Sequence, residues 1–305
     1  MALPSAAAPG FFVPQLTAPV RRIGARTFDF SRQVAVMAIV NRTPDSFFDR
    51  GSTYSLDVAV ESALGAVAAG ADWVDIGGVP FSPDTPDISA DEEMDRVLPV
   101  VEAVAARSDV VISVDTWRPE VAAACVTAGA SVINDTYGLR DPAMAAVVAS
   151  TGATVVIAHS LAERHRHLRR PQYADVVADV AHFLRERVAL AEEAGIAPEQ
   201  IVIDPGHDLN KNTYHSLELT RRLAEITSIG LPTLVALSNK DFIGETLDRE
   251  RPDRLAGSLA AAVMCVAQGA RIVRVHAVAP HVDAVRMTEA VLGFRAPAWT
   301  RHNLD

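Results

Sequence analysis

Cysteine is scarce, with two residues, Cys125 and Cys265, in 305. Both sit in alanine-rich helical contexts, VAAACVTAGA and AAAVMCVAQGA, which suit small buried hydrophobes rather than a disulfide framework and fit a reducing compartment. Long apolar runs are missing too. None approaches the ~18 to 20 residues of a membrane span. The N-terminus lacks a basic region ahead of an apolar stretch and a cleavage site. The expectation is a cytoplasmic protein with no membrane partner. Positive charge is in deficit, 28 Lys and Arg against 38 Asp and Glu for a net charge of −10, which argues against a nucleic-acid partner. The single basic run, Arg164 to Arg170, is too short to reverse that, and its His165 and His167 have no nearby Cys or carboxylate to complete a metal site.

What the chain does have is enough apolar material for one large core, at 49% hydrophobic and 22% charged residues. Residues 1–25 hold four prolines amid Ala, Gly and Ser, and are expected to form a flexible N-terminal extension. Residues 26–305 read as one domain. There, short β-branched apolar runs alternate with longer stretches of helical period. The runs are VAVMAIV (34–40), DWVDI (72–76), DVVISV (109–114), SVIN (131–134), TVVIAH (154–159), IVID (201–204), TLVALS (233–238) and RIVRV (271–275). Each is nearly continuous in apolar residues, as strands buried on both faces are. The clearest helical candidates between them are 55–71, 90–107 and 173–195. The pattern predicts a single-domain (β/α)8 TIM barrel. A doubly wound open sheet would place a glycine-rich phosphate turn after its first strand, where this chain has Asn41-Arg-Thr-Pro-Asp45.

Nearly every run ends on its C-terminal side in a polar residue: Asn41, Asp75, Asp115, Asn134, His159, Asp204, Ser238 with Lys240, and Arg274 with His276. One such residue is commonly a helix cap or turn former. Eight at eight junctions imply a ring around one mouth of the barrel, where barrel enzymes carry their chemistry. Asp115, Asn134 and Asp204 suit a flat nitrogen heterocycle edged with donors and acceptors. Lys240, Arg274 and His276, cationic or potentially so, suit a phosphate ester. Asn41 offers a neutral oxygen to a magnesium ion bridging that anion.

The stretches MAIVNRTPDSFFDRG, VDIGG, ISVDTWRPEVA, VINDTYG, IDPG, ALSNKDFIGETL and IVRVH, in this order and at strand ends, resemble the motifs of the dihydropteroate synthase family from about residue 34 to 295. Within it the chain is similar to the second, inactive synthase paralogue of actinobacteria. The resemblance implies binding of 6-hydroxymethyl-7,8-dihydropterin diphosphate, a small-molecule partner, with Mg2+ assisting. It places the pterin on Asp115, Asn134, Asp204, Lys240 and Arg274, and the diphosphate on Asn41, Arg274 and His276, with the metal at Asn41. It also implies a homodimer packed through late helices, for which the apolar stretch 256–270 is suited.

Departures from the family pattern cluster at the site for the second substrate, p-aminobenzoate. A Glu-Ser-Thr-Arg-Pro-Gly loop is replaced by one containing Val79, Pro80 and Ser82, with further prolines at 83 and 86 that restrict it. Leu209 stands where an aromatic is usual, and Ser-Arg-Lys-Ser becomes Ser238-Asn239-Lys240-Asp241. Asp241 at a helix N-terminus is expected to oppose a second carboxylate by roughly 1 to 4 kcal/mol. The reading is a homologue that recognises the pterin diphosphate with weak or absent condensation. An active C–N transferase using p-aminobenzoate or another amine, and a non-catalytic pterin-binding protein, are the alternatives.

Overall fold

The computed structural model describes residues 12–42, 55–79, 88–161 and 168–302. A hairpin of β1 (Val20–Ile23) and β2 (Arg26–Asp29) precedes the alternating units. These run β3 (Ala35–Asn41), α1 (Leu56–Ala68), β4 (Trp73–Gly77), α2 (Ala90–Ala105), β5 (Val111–Asp115), α3 (Pro119–Thr127), β6 (Val132–Asp135) and α4 (Pro142–Thr151). They continue with β7 (Thr154–Ala158), α5 (Val176–Glu193), β8 (Ile201–Asp204), α6 (Thr213–Arg221), α7 (Leu223–Thr227), β9 (Leu234–Ala236), α8 (Asp241–Leu247), α9 (Leu255–Ala267), β10 (Ile272–Val275) and α10 (Val278–Val291). The eight strands β3 to β10 pair in parallel in the order β8-β7-β6-β5-β4-β3-β10-β9, and a parallel bridge from Ile203 to Thr233 spans the remaining seam. The expected (β/α)8 barrel is the fold.

The pleat sorts each strand's residues between two cores, since successive side chains point to opposite faces. Ala35, Met37, Trp73, Val111, Val132, Val156, Val202, Leu234 and Ile272 form the cluster inside the barrel. The alternate positions, such as Val36, Val74, Ile112, Ile133 and Val155, pack outward against the helices. Several helices start where the sequence supplies a cap, the side chains of Ser55, Ser89, Asp141, Asp175 and Asn212 accepting from backbone N–H groups of the first turn.

One expectation needs correction. The extension predicted over 1–25 does not hold for its later part, because Val20–Ile23 pairs antiparallel with Arg26–Asp29. This hairpin plugs the N-terminal end of the barrel: Ile23, Phe28 and Phe30 join the inner cluster, with the Phe28 and Phe30 rings stacked at 5.7 Å and Trp73 edge-on to Phe28 at 5.8 Å. Arg21 donates from Nη1 to the Ile201 carbonyl at 2.6 Å, and Thr17 N–H to the Gly230 carbonyl at 2.8 Å. The buried apolar residues, rather than the proline content, decide whether this segment is ordered. Among the described residues no helix is long and apolar enough to cross a membrane.

Candidate functional site

Strand parity extends the inner cluster upward into a polar layer. Asp75 follows Trp73, Ser113 and Asp115 follow Val111, Asn134 follows Val132, Asp204 follows Val202, and Arg274 follows Ile272, each at a spacing of two or four that keeps the side chain inside the barrel. Asn41 ends β3 on the same parity, and its Oδ1 lies 3.3 Å from where a Cβ at Gly77 would be. The lumen is therefore apolar at its plugged end and polar at the mouth.

The hub of this layer is Asp75, fully buried. Its Oδ1 accepts from Ser113 Oγ at 2.6 Å, and its Oδ2 from Asn134 Nδ2 at 3.0 Å and Arg274 Nε at 2.6 Å. Arg274 also donates from Nη2 to Asp115 Oδ2 at 3.2 Å, so one guanidinium bridges two carboxylates, as its planar fork permits. Burial works against the charge on Arg274, but Asp75 and Asp115 outweigh it and hold its pKa above the ordinary value. Asp115 is pushed up to about 7 by burial, reinforced by Asp75, Glu93 and Asp135 and only partly offset by Arg274. Burial also raises Asp204, whose Oδ1 accepts from Gly206 N–H at 2.7 Å. Asn134 Oδ1 is buried with no hydrogen-bond partner among the described residues, and a buried acceptor of this kind is normally satisfied.

Lys240 directly precedes α8, and its ammonium is held below the usual lysine range by burial, with Asp208 the largest opposing charge. His276 lies just past β10, its Nδ1 3.2 Å from Ser238 Oγ. Burial and the neighbouring Arg274 and Lys240 depress it to about 3. The sequence treated His276 as potentially cationic; at neutral pH it is a neutral imidazole here. His159 departs from the expected ring altogether. It falls on the outward parity of β7, with its ring edge-on to Phe183 at 4.9 Å and its Nδ1 2.8 Å from Lys211 Nζ.

The corner that the sequence assigned to the second substrate is built differently from what the sequence suggested. Asp241 does not place its carboxylate on its own helix terminus: Oδ1 pairs with Arg254 Nη1 at 2.8 Å, at an exposed position. The anion at that terminus is Asp208, whose Oδ2 accepts from the backbone N–H of Asp241 at 2.7 Å and of Phe242 at 3.3 Å. Asn239 takes a left-handed φ of 60°, with its carbonyl accepting from Arg254 at 3.0 Å. Leu209 is buried, its carbonyl accepting from Lys211 Nζ at 3.1 Å. Val79, partly exposed, ends the described part of the loop after β4. Pro80 and Ser82 lie outside the described residues.

Asp208 and Lys211 are the residues that the sequence left without a role. The run Asp208-Leu-Asn210 carried one hint, since Asp and Asn tolerate the left-handed φ of 62° and 50° found there. The contact of Asp208 with α8, 33 positions away, left no trace in the sequence.

Fold and mouth together define a (β/α)8 barrel whose lumen presents both donors and acceptors at its open end. Comparison with known proteins gives the family. A family model described as "Pterin binding enzyme" matches residues 37–276. The chain is 44% identical over 276 residues to a Mycobacterium tuberculosis protein named "Inactive dihydropteroate synthase 2", covering 88% of this chain and 86% of that one. It is equally 44% identical, over 257 residues, to the dihydropteroate synthase of Escherichia coli K12, covering 84% and 91%. The Xanthomonas albilineans synthase, solved with 4-aminobenzoic acid, superposes with a TM-score of 0.83 at 40% identity over 90% of this chain and 98% of that one. The chain belongs to the dihydropteroate synthase-like family of pterin-binding enzymes.

Proposed function

We propose that the chain binds 6-hydroxymethyl-7,8-dihydropterin diphosphate at the barrel mouth and condenses it with p-aminobenzoate weakly or not at all. The observation that carries the binding half is Asn134 Oδ1, a buried acceptor left open beside the Arg274–Asp75–Asp115 bridge. A pterin edge, with its ring N–H and exocyclic NH2 groups, supplies the missing donors. In this reading Asp115, Asn134, Asp204, Lys240 and Arg274 hold the ring, and Arg274, His276 and Asn41 face the diphosphate.

Magnesium fits at Asn41 as a ligand-poor site. The Asn41 Oδ1 is a neutral oxygen at the mouth, 3.3 Å from where a Cβ at Gly77 would be, and magnesium readily takes water and phosphate oxygens beside a single protein ligand. When bound it would neutralise charge on the departing diphosphate. Cation developing on the pterin as that group leaves is favoured by the carboxylates of Asp75, Asp115 and Asp204. No side-chain nucleophile is required.

The weak condensation is supported by the acceptor side. The two N–H groups opening α8 are already held by the carboxylate of Asp208, so an acceptor bearing a carboxylate meets an occupied donor pair and a like charge. The same carboxylate favours an amine acceptor without one. The two free, buried cysteines fit a cytoplasmic protein. A homodimer through α9 and α10 is supported by Met264, Met287 and Val291, which are exposed on these mutually packed helices.

The test is purified protein with the dihydropterin diphosphate, Mg2+ and a panel of amines. Calorimetry should give binding of the diphosphate, with little or no diphosphate release in the presence of p-aminobenzoate. Turnover with p-aminobenzoate at the rate of a working synthase defeats the condensation half. Absence of binding defeats the reading as a whole.

A further inference from the structure

Of the 28 Lys and Arg residues only two are lysines, Lys211 and Lys240, and both belong to one corner of the mouth. Lys211 Nζ reaches the carbonyls of Gly206 at 2.9 Å, Leu209 at 3.1 Å and His159 at 3.3 Å, besides His159 Nδ1. That cage fixes the 206–211 loop. Within it, Asp208 extends across to the start of α8. Its Oδ2 takes the N–H groups of Asp241 and Phe242, the two residues after Lys240, while Oδ1 accepts from Ser216 Oγ at 2.9 Å. On the other flank, the Lys240 carbonyl accepts from Arg254 Nη1 at 3.3 Å and the Lys240 N–H donates to the Leu237 carbonyl at 3.2 Å.

We propose that Asp208 is a positioning residue for Lys240, a carboxylate clamp between the β8 and β9 loops that fixes the backbone carrying the lysine and supplies its counter-charge. What Lys240 then does rests on the pterin-binding reading; the clamp does not.

A plain helix cap makes the same hydrogen bonds without any influence on Lys240, and charge separates the two cases. Asn accepts from backbone N–H as well as Asp does and also tolerates a left-handed φ, so Asp208→Asn keeps a cap and removes the counter-charge. The charged and titratable groups facing Lys240 are Asp204 and Lys211 from the β8 strand and loop, Asp208 and His207 from that same loop, Asp241 from α8, and Arg274 and His276 from the β10 end. Neutralising Asp208 leaves Lys240 with Arg274 and Lys211 against it and Asp204 and Asp241 in its favour. The ammonium should then give up its proton at lower pH.

With two lysines in the chain, full-length protein labelled with 13Cε-lysine gives two lysine signals, and Lys240→Arg assigns them. Asp208→Asn should lower the Lys240 midpoint by about one pH unit, and Asp208→Gly, compatible with the left-handed φ, should do the same. Ser216→Ala, which removes the other contact of Asp208 but no charge, should leave the midpoint in place. Calorimetry with the dihydropterin diphosphate and Mg2+ should give about tenfold weaker binding for Asp208→Asn, weakening further as pH rises. An unmoved midpoint in both Asp208 variants overturns the proposal, and so does an equal shift in Ser216→Ala. The labelled-lysine titration needs no ligand. Failure of the native protein to bind the diphosphate would therefore count against the pterin reading, with the lysine midpoints still deciding the role of Asp208.

Discussion

Replacing Arg274 by Met keeps most of the side-chain stem and removes the guanidinium that bridges Asp75 and Asp115. Asp75 retains donors in Ser113 and Asn134, whereas Asp115 loses the guanidinium that donates to it. Removing one member of a buried ion pair typically costs about 3 to 5 kcal/mol. The low end applies, because Asp75 keeps two neutral donors and the Asp115 side chain retains 23% exposure. About 3 kcal/mol is therefore expected near pH 8.5, equivalent to a fall in Tm of roughly 5 °C for a chain of this size. The pH dependence is the sharper part. An acid with a raised folded pKa binds protons more tightly folded than unfolded, so the cost of leaving it charged is present at high pH and fades as it protonates. Asp115 is already at about 7 with Arg274 in place and should move higher without it. The variant should thus recover most of its loss between pH 8.5 and 6. Urea unfolding at both pH values measures this directly. A loss below about 1 kcal/mol at pH 8.5, or one equal at both pH values, would refute the view that Arg274 neutralises the buried carboxylates.

His207 is buried, its Nδ1 has no partner among the described residues, and burial depresses it to about 3. Because the unfolded chain then binds the proton more readily, this residue should destabilise the fold below about pH 6.5, by about 2 kcal/mol at pH 5. His207→Phe should remove that slope from the stability profile, and an unchanged slope counts against a neutral buried imidazole. On the acceptor side, Asp241→Ser with Asn239→Arg should fail to restore p-aminobenzoate binding, since Asp208 still holds the α8 amides. Adding Asp208→Gly should raise the affinity by about one decade or more. Calorimetry in the presence of pterin and pyrophosphate checks both, and recovery in the double variant alone would assign the block to Asp241.

The barrel was legible because a strand buried on both faces leaves a continuous apolar run, and all eight such runs became barrel strands. The hairpin was not, since Val20–Ile23 and Arg26–Asp29 are four residues each and too short for a periodicity to rise above the surrounding prolines. Parity would have sharpened the site. Counting in twos from Val156 reaches Ala158 and passes over His159, whereas counting in twos from Trp73, Val132 and Ile272 reaches Asp75, Asn134 and Arg274. Asp241 was assigned to the wrong partner because the sequence locates a helix start but not which distant side chain caps it. Here the cap comes from Asp208, and Asp241 turns to Arg254.

Equal identity to a protein named inactive and to one named a synthase puts the question of condensation on individual residues of the mouth. The two halves of the mouth differ in what a substitution disturbs. The lumen half stands on strands, and replacing Asp75 would take a partner at once from Ser113, Asn134 and Arg274 in a buried layer, where an unsatisfied polar group costs about 1 to 3 kcal/mol. The acceptor half stands on the 206–211 loop and the β9–α8 junction, where a side chain can be exchanged with little effect on the core. The carboxylate at position 208 of that loop satisfies two backbone N–H groups and Ser216 at once, so it stabilises the corner it occupies. On the function proposed above, loss of condensation needs no damage to the strand-borne half of the mouth, and binding without turnover is what a change confined to the loop-borne half would produce.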